Sequence, residues 1–128
     1  MVNQIGNITI VGNANAWPHE MDTARALARD GRDVEFIDRG GRGDGCADVR
    51  LDGLVWEMKS PKSDKMAMVQ KNMRRALHQS PNVIFDARRM KRLPDAAIER
   101  EVRKWAGELR GLKHAIYVNR HGNVIVIK

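Results

Sequence analysis

Apolar and polar positions recur with two different periods along this chain, and the switches between them outline its elements. Residues 8–11 form a short apolar run of strand type, after which Met21, Ala24, Leu27 and Ala28 recur at helical spacing between Pro18 and Gly31. Pro18 favours a first helical turn, where a missing N–H leaves no intrahelical bond unmade. Residues 34–37 read as the next strand. In 48–51, Val49 and Leu51 take one face while Asp48 and Arg50 take the other. Asp52-Gly53 is a hairpin turn signal, and the chain returns through 54–59 with Leu54, Trp56 and Met58 opposed to Val55, Glu57 and Lys59. Pro61 closes that strand. From Ser63 or Asp64 to Gln79 the period becomes helical, with Met66, Val69, Met73, Ala76 and Leu77 as an apolar stripe and Lys65, Lys71, Arg74, Arg75 and His78 around much of the rest. A strand at 83–86 follows. Pro94 and Asp95 then open a helix lined by Ile98, Val102, Trp105 and Leu109, and 115–118 with 124–127 read as a closing hairpin.

At 128 residues and 14.5 kDa the chain is long enough for one core and too short for two ordinary ones, so 1–128 is read as a single α/β domain. The run Gly40-Gly41-Arg42-Gly43-Asp44-Gly45 reads as a loop between strands. No apolar run approaches the roughly 20 residues of a membrane-spanning helix, which argues against a membrane partner. No secretory signal is visible at the start of the chain. A single cysteine, Cys46, excludes an internal disulfide and reads as a packed loop residue.

Charge changes the picture more than composition does. Basic side chains outnumber acidic ones, 23 to 16, for a net +7 and a pI near 10.1. They are unevenly placed: residues 1–59 hold 7 basic and 10 acidic side chains, residues 60–128 hold 16 basic and 6 acidic. The second half suits a polyanion, because Lys and Arg displace the counterions condensed on phosphates.

The carboxylates of the first half supply a chemistry. The Asp52-Gly53 turn lets Asp48 lie beside Glu57-Met58-Lys59 on paired strands. Two carboxylates suit a hard cation such as Mg²⁺, which takes oxygen ligands and keeps several waters, so Asp48 and Glu57 are the predicted metal ligands, with a backbone carbonyl near Met58. Lys59, on the same face, would orient or deprotonate the attacking water or neutralise charge on the phosphorane. The reaction is metal-assisted phosphodiester hydrolysis.

Asp48 with Glu57-Met58-Lys59, in the order helix, three strands, helix, strand, resembles the PD-(D/E)xK nucleases of the restriction-endonuclease-like superfamily over residues 18–86. The residue before Asp48 is Ala47 in place of the motif's proline, a departure that the loose motif tolerates. A closer similarity runs through residues 47–53, Trp56-Glu57-Met58-Lys59-Ser60-Pro61, Asn72 with Arg75, Gln79-Ser80 and Asn82-Val83-Ile84-Phe85-Asp86. These are similar to the C-terminal tRNA-nuclease toxins of CdiA-type contact-dependent growth inhibition systems.

The first resemblance implies a restriction-endonuclease-like core, extended here by a C-terminal helix and β-hairpin. The second implies an endoribonuclease acting on tRNA in the cytoplasm of a target bacterium, delivered by a larger parent protein or another route. It also implies a cognate immunity protein, expected to be acidic because it must cover a basic groove. Such nucleases often take a further acid from the first helix, which makes Glu20 the candidate and Glu35, on the first strand of that core, the second. Asn72, Arg75 and Gln79, three and four residues apart, with Lys71 beside them, would touch the scissile phosphate or its ribose. Ser60, Lys62, Ser63, Arg88 and Arg89 would add phosphate contacts.

Rival readings follow from other residues. A metal-free RNase of barnase or RelE-like type would need an imidazole, and His121 beside Arg120 is its candidate. A DNA repair or junction nuclease would share the fold, and a non-catalytic nucleic-acid binder would need no carboxylates. The plain alternative for Glu57 and Lys59 is a solvated cross-strand ion pair. Trp56 and Trp105 lie on apolar stripes and read as core. Oligomeric state is left open.

Overall fold

Both periods of the sequence are realised as elements in a computed structural model that describes residues 5–12, 14–37 and 48–128. The order is β1 (Ile8–Ile10), α1 (Pro18–Arg29), β2 (Val34–Phe36), β3 (Val49–Leu51), β4 (Leu54–Lys59), α2 (Ala67–Leu77), β5 (Asn82–Asp86), α3 (Asp95–Glu108), β6 (His114–Val118) and β7 (Val124–Val126). The glycine-rich loop, Cys46 and Ala47 lie outside the described residues. Asp52 and Gly53 have φ of 52° and 78°, the paired left-handed conformation that a tight hairpin needs and that Asp-Gly supplies at least cost.

The seven strands form one sheet in sequence order. Helices cross between the parallel neighbours β1/β2, β4/β5 and β5/β6, and the remaining pairs are antiparallel. Two cores sandwich the sheet. On one face Ala24 and Leu27 of α1 pack with Phe36, Leu51, Met58, Ile84 and Ile116. On the other, Val69 and Met73 of α2 and Ile98 and Val102 of α3 pack with Val83, Phe85 and Tyr117. Alternation along each strand distributes its residues between these faces.

β4 changes partners halfway along. Its first three residues pair with β3, and Glu57, Met58 and Lys59 pair with Val83, Ile84 and Phe85 of β5. Paired residues share a face, so Glu57 and Lys59 belong with Val83 and Phe85 on the α2/α3 side, whereas Met58 faces α1 with Ile84. Just before this switch the Val55 carbonyl accepts Ser80 Oγ at 2.7 Å and Asn82 Nδ2 at 3.0 Å, which holds β4 to the α2–β5 turn.

Several boundaries differ from the sequence expectation, and two of the differences have a visible cause. α2 starts at Ala67, not at residue 63 or 64, because Ser63 Oγ accepts the Lys65 N–H at 3.1 Å and the Lys65 carbonyl accepts the Met68 N–H at 3.1 Å, committing that stretch to turns. β5 begins one residue early, at Asn82, whose buried amide is the group bound to Val55.

Candidate active site

Where β3 and β4 part, a side chain takes over the hydrogen bonding of the ladder. The Asp48 N–H donates to the Trp56 carbonyl at 3.0 Å, and Asp48 Oδ2 accepts the Met58 N–H at 2.8 Å. The Asp48 carboxylate is thereby fixed alongside β4 on the N–H of Met58, the residue between Glu57 and Lys59 in sequence. Lys59 Nζ lies 3.3 Å from Glu57 Oε2. The Glu57 side chain is 8% exposed and that of Lys59 22%, so this pair is not the solvated surface bridge of the plain alternative. Asp48 is buried as well. The structure thus brings together Asp48, Glu57 and Lys59, three of the four residues predicted to carry the chemistry.

The start of β3 adjoins the end of β4, and β2, β4, β5 and β6 all point the same way. The site therefore sits at the carboxyl ends of the parallel strands. α1 reaches this end too: Thr23 Oγ1 donates to Asp86 Oδ2 at 2.6 Å, and Arg88 Nη2 donates to the Asp22 carbonyl at 2.9 Å. Glu20, near the start of α1, is buried, and its Oε1 accepts the Trp17 N–H at 2.9 Å, so it caps the helix from the side of the sheet opposite Glu57. Glu35, the second candidate acid, is 3.1 Å from Arg50 on the neighbouring strand.

The predicted substrate contacts divide. Arg88 is held by Asp86, with Nη2 to Oδ2 at 2.7 Å and Nε to Oδ1 at 3.0 Å. That hydrogen bond, more than burial opposes it, raises the Arg88 guanidinium above its ordinary pKa. Its first role is to neutralise Asp86. On α2, Asn72 is buried with Nδ2 donating to the Met68 carbonyl at 2.8 Å and Lys71 and Arg75 are exposed, whereas Gln79 lies past the end of the helix and is half-buried. They do not form a single exposed stripe. Ser60, Arg88 and Arg89 line a pocket of about 270 Å³ together with His19 and Lys91. Lys62 and Ser63 line an adjoining one of about 310 Å³, which shares Arg89 and Lys91 and adds Arg92. Lys91 and Arg92 continue the basic run of Arg88 and Arg89, and His19 joins their pocket from the first turn of α1, a proximity that sequence spacing does not reveal.

Another pocket, of about 430 Å³, is lined by Asp33, Glu35, Arg50 and Asp52 among others and does not extend this basic surface. His121 lies exposed in the β6–β7 turn, beside Arg29 and Asp30 in a further pocket. Trp56 is core, as expected, and Trp105 packs at the edge of the α2/α3 core beneath Arg74 and Lys104. Among the described residues no group of three His, Cys, Asp or Glu side chains is placed to hold a metal ion. A cation on Asp48 and Glu57 would therefore complete its shell with water and substrate oxygens, as Mg²⁺ commonly does. No helix among the described residues is long and apolar enough to cross a membrane.

The fold and site together define a mixed α/β protein with paired carboxylates and a lysine at the carboxyl edge of its sheet. The same fold occurs in a solved CdiA-CT/CdiI toxin and immunity complex from Burkholderia pseudomallei, with a TM-score of 0.70 and 18% identity over 94% of this chain and 98% of that one. Residues 46–124 match the contact-dependent growth inhibition CdiA C-terminal domain, and the chain belongs to that family. The matched stretch contains Asp48, Glu57 and Lys59 and leaves out α1 with Glu20. A comparison with curated proteins matches none of them.

Proposed function

We propose that this chain is a Mg²⁺-dependent endoribonuclease with a restriction-endonuclease-like core, acting on tRNA in the cytoplasm of a target cell as a growth-inhibition toxin. A cognate immunity protein, acidic where it meets the basic loops, neutralises it. Family membership and the toxin and immunity complex with the same fold support the toxin reading. The observation that carries the chemistry is the Asp48 carboxylate fixed on the N–H of Met58, whose two neighbours in sequence, Glu57 and Lys59, are themselves paired.

The donor set fits a hard divalent ion, because carboxylate oxygens are hard ligands. Asp48 and Glu57 would hold it, and such an ion supplies an activated water and Lewis-acid stabilisation of the phosphoryl group. Lys59 lies at the mouth of the site, where it would offset negative charge developing on the phosphate. Glu20 is a further acid reaching the same end of the sheet from α1. Arg89, Lys91 and Lys62 hold flanking phosphates.

Incubation of the purified protein with tRNA and with plasmid DNA, each with Mg²⁺ or EDTA, tests the proposal. tRNA is cut only with Mg²⁺, and Glu57→Ala and Lys59→Ala each lower the rate by about 100-fold or more. Cleavage that survives chelation and both substitutions overturns the metal mechanism. Cutting of DNA alone overturns the RNA assignment, and binding without cleavage under any divalent ion overturns the nuclease.

A further inference from the structure

The loop after β5 gathers four cations into two consecutive turns. The Met90 N–H donates to the Ala87 carbonyl at 3.0 Å and the Leu93 N–H to the Met90 carbonyl at 3.4 Å, so Arg88 and Arg89 form the tip of the first turn and Lys91 and Arg92 the tip of the second. Arg88 folds back on Asp86, and Arg89 Nη1 donates to the Ser60 carbonyl at 3.0 Å. Lys91 and Arg92 stay exposed, with Asp64 3.9 Å from Arg92, and both line the pocket of about 310 Å³. Like charges this close repel, which favours an open loop over a closed turn.

A fifth cation opposes that opening. Arg120 Nη2 donates to the Met90 carbonyl at 2.9 Å and to the Leu93 carbonyl at 2.5 Å, the two residues that bracket Lys91 and Arg92. Its two hydrogens serve one carbonyl each. The base from which Arg120 reaches is itself braced: Asn119 Oδ1 accepts the N–H groups of His121 and Asn123 at 3.0 and 2.9 Å, and Asp95 Oδ2 accepts the Arg120 N–H at 3.2 Å. Asp95 also accepts the Tyr117 hydroxyl at 2.6 Å, which ties this base to β6 and the start of α3. Buried Met90 pins the middle of the loop.

We propose that Arg120 is a positioning residue for RNA binding, holding Lys91 and Arg92 as a preformed pair for a backbone phosphate. Ordering flexible cations at the moment of binding costs affinity, and a preformed pair avoids that cost. This rests on the nuclease reading and deepens it by naming the residue that shapes its phosphate contacts.

A double-mutant cycle separates positioning from direct contact. Affinity for labelled tRNA is measured by anisotropy in EDTA for the wild-type protein, Arg120→Ala, Lys91→Ala/Arg92→Ala and the triple variant, with urea unfolding of each as a check on folding. Arg120→Ala weakens binding about 10-fold and lowers the slope of log affinity against log salt by roughly 1 to 2, although Lys91 and Arg92 are still present. In the Lys91→Ala/Arg92→Ala background the same substitution changes affinity by less than about 2-fold. With Mg²⁺ the loss falls on KM and not on kcat. Arg120→Gln, which keeps a donor for one carbonyl, repeats the cycle where Arg120→Ala does not fold. Equal losses in the two backgrounds, no loss in either, a loss confined to kcat, or no RNA binding by the wild-type protein overturns the proposal. Non-additive losses in a protein that cleaves nothing with Mg²⁺ refute the nuclease and leave the role of Arg120 standing. Cleavage accompanied by additive losses refutes that role alone.

Discussion

Asp86 shows how a single buried residue ties α1 to the end of β5. Its carboxylate, 3% exposed, accepts from Thr23 and from the Arg88 fork. Removing the guanidinium strands a charge in the interior, so Arg88→Ala is expected to cost about 2–4 kcal/mol in urea unfolding. Arg88→Lys restores only part of this, because an ammonium lacks the fork. Tyr117, the sole tyrosine, offers a second test at this scale. Burial first, then the hydrogen bond from its hydroxyl to Asp95, pushes its phenol above the ordinary range. The folded chain thus keeps this proton to higher pH than the unfolded one. That contribution to stability is complete below about pH 10 and is lost as pH rises further. Tyr117→Phe should flatten this alkaline loss, and phenolate absorbance of the native protein should develop only above that range. Neither feature was legible beforehand, for Thr23 and Asp86 meet across 63 residues of sequence and Arg88 looked like any other cation of a basic run.

Among the elements, β4 decides the site. Its alternation and the Asp52-Gly53 turn were readable, because both are local, and they were enough to place Asp48 beside Glu57 and Lys59. The change of partners within β4 was not readable, since it depends on where β5 arrives. Neither was the assignment of Glu20 to the opposite side of the sheet, which follows from packing of α1 and not from its spacing. Asp48 has two roles at this switch, and substitutions separate them. Asp48→Asn keeps an acceptor for the Met58 N–H and should fold with near-native stability while losing cleavage. Asp48→Ala removes the acceptor as well and should cost about 1–3 kcal/mol in addition. Equal stability of the two would mean that this hydrogen bond does not hold the β3–β4 junction.

For the whole molecule, the uneven charge of the sequence becomes a spatial arrangement. The three loops after β4, β5 and β6 all open at one end of the sheet, and they carry Lys62, Arg89, Lys91, Arg92 and Arg120 around the edge where Asp48 and Glu57 lie. Net charge pointed to a polyanion. The fold adds that these loop cations, drawn from the second half of the chain, lie at the end of the sheet that carries Asp48 and Glu57 from the first. The most direct test of this account is the rate of tRNA cleavage as Mg²⁺ is withdrawn with EDTA and then restored, for the wild-type protein and Asp48→Asn. The account predicts no cleavage in EDTA, full recovery when Mg²⁺ returns, and none at any stage for Asp48→Asn. A rate indifferent to chelation, or unchanged in Asp48→Asn, would contradict it.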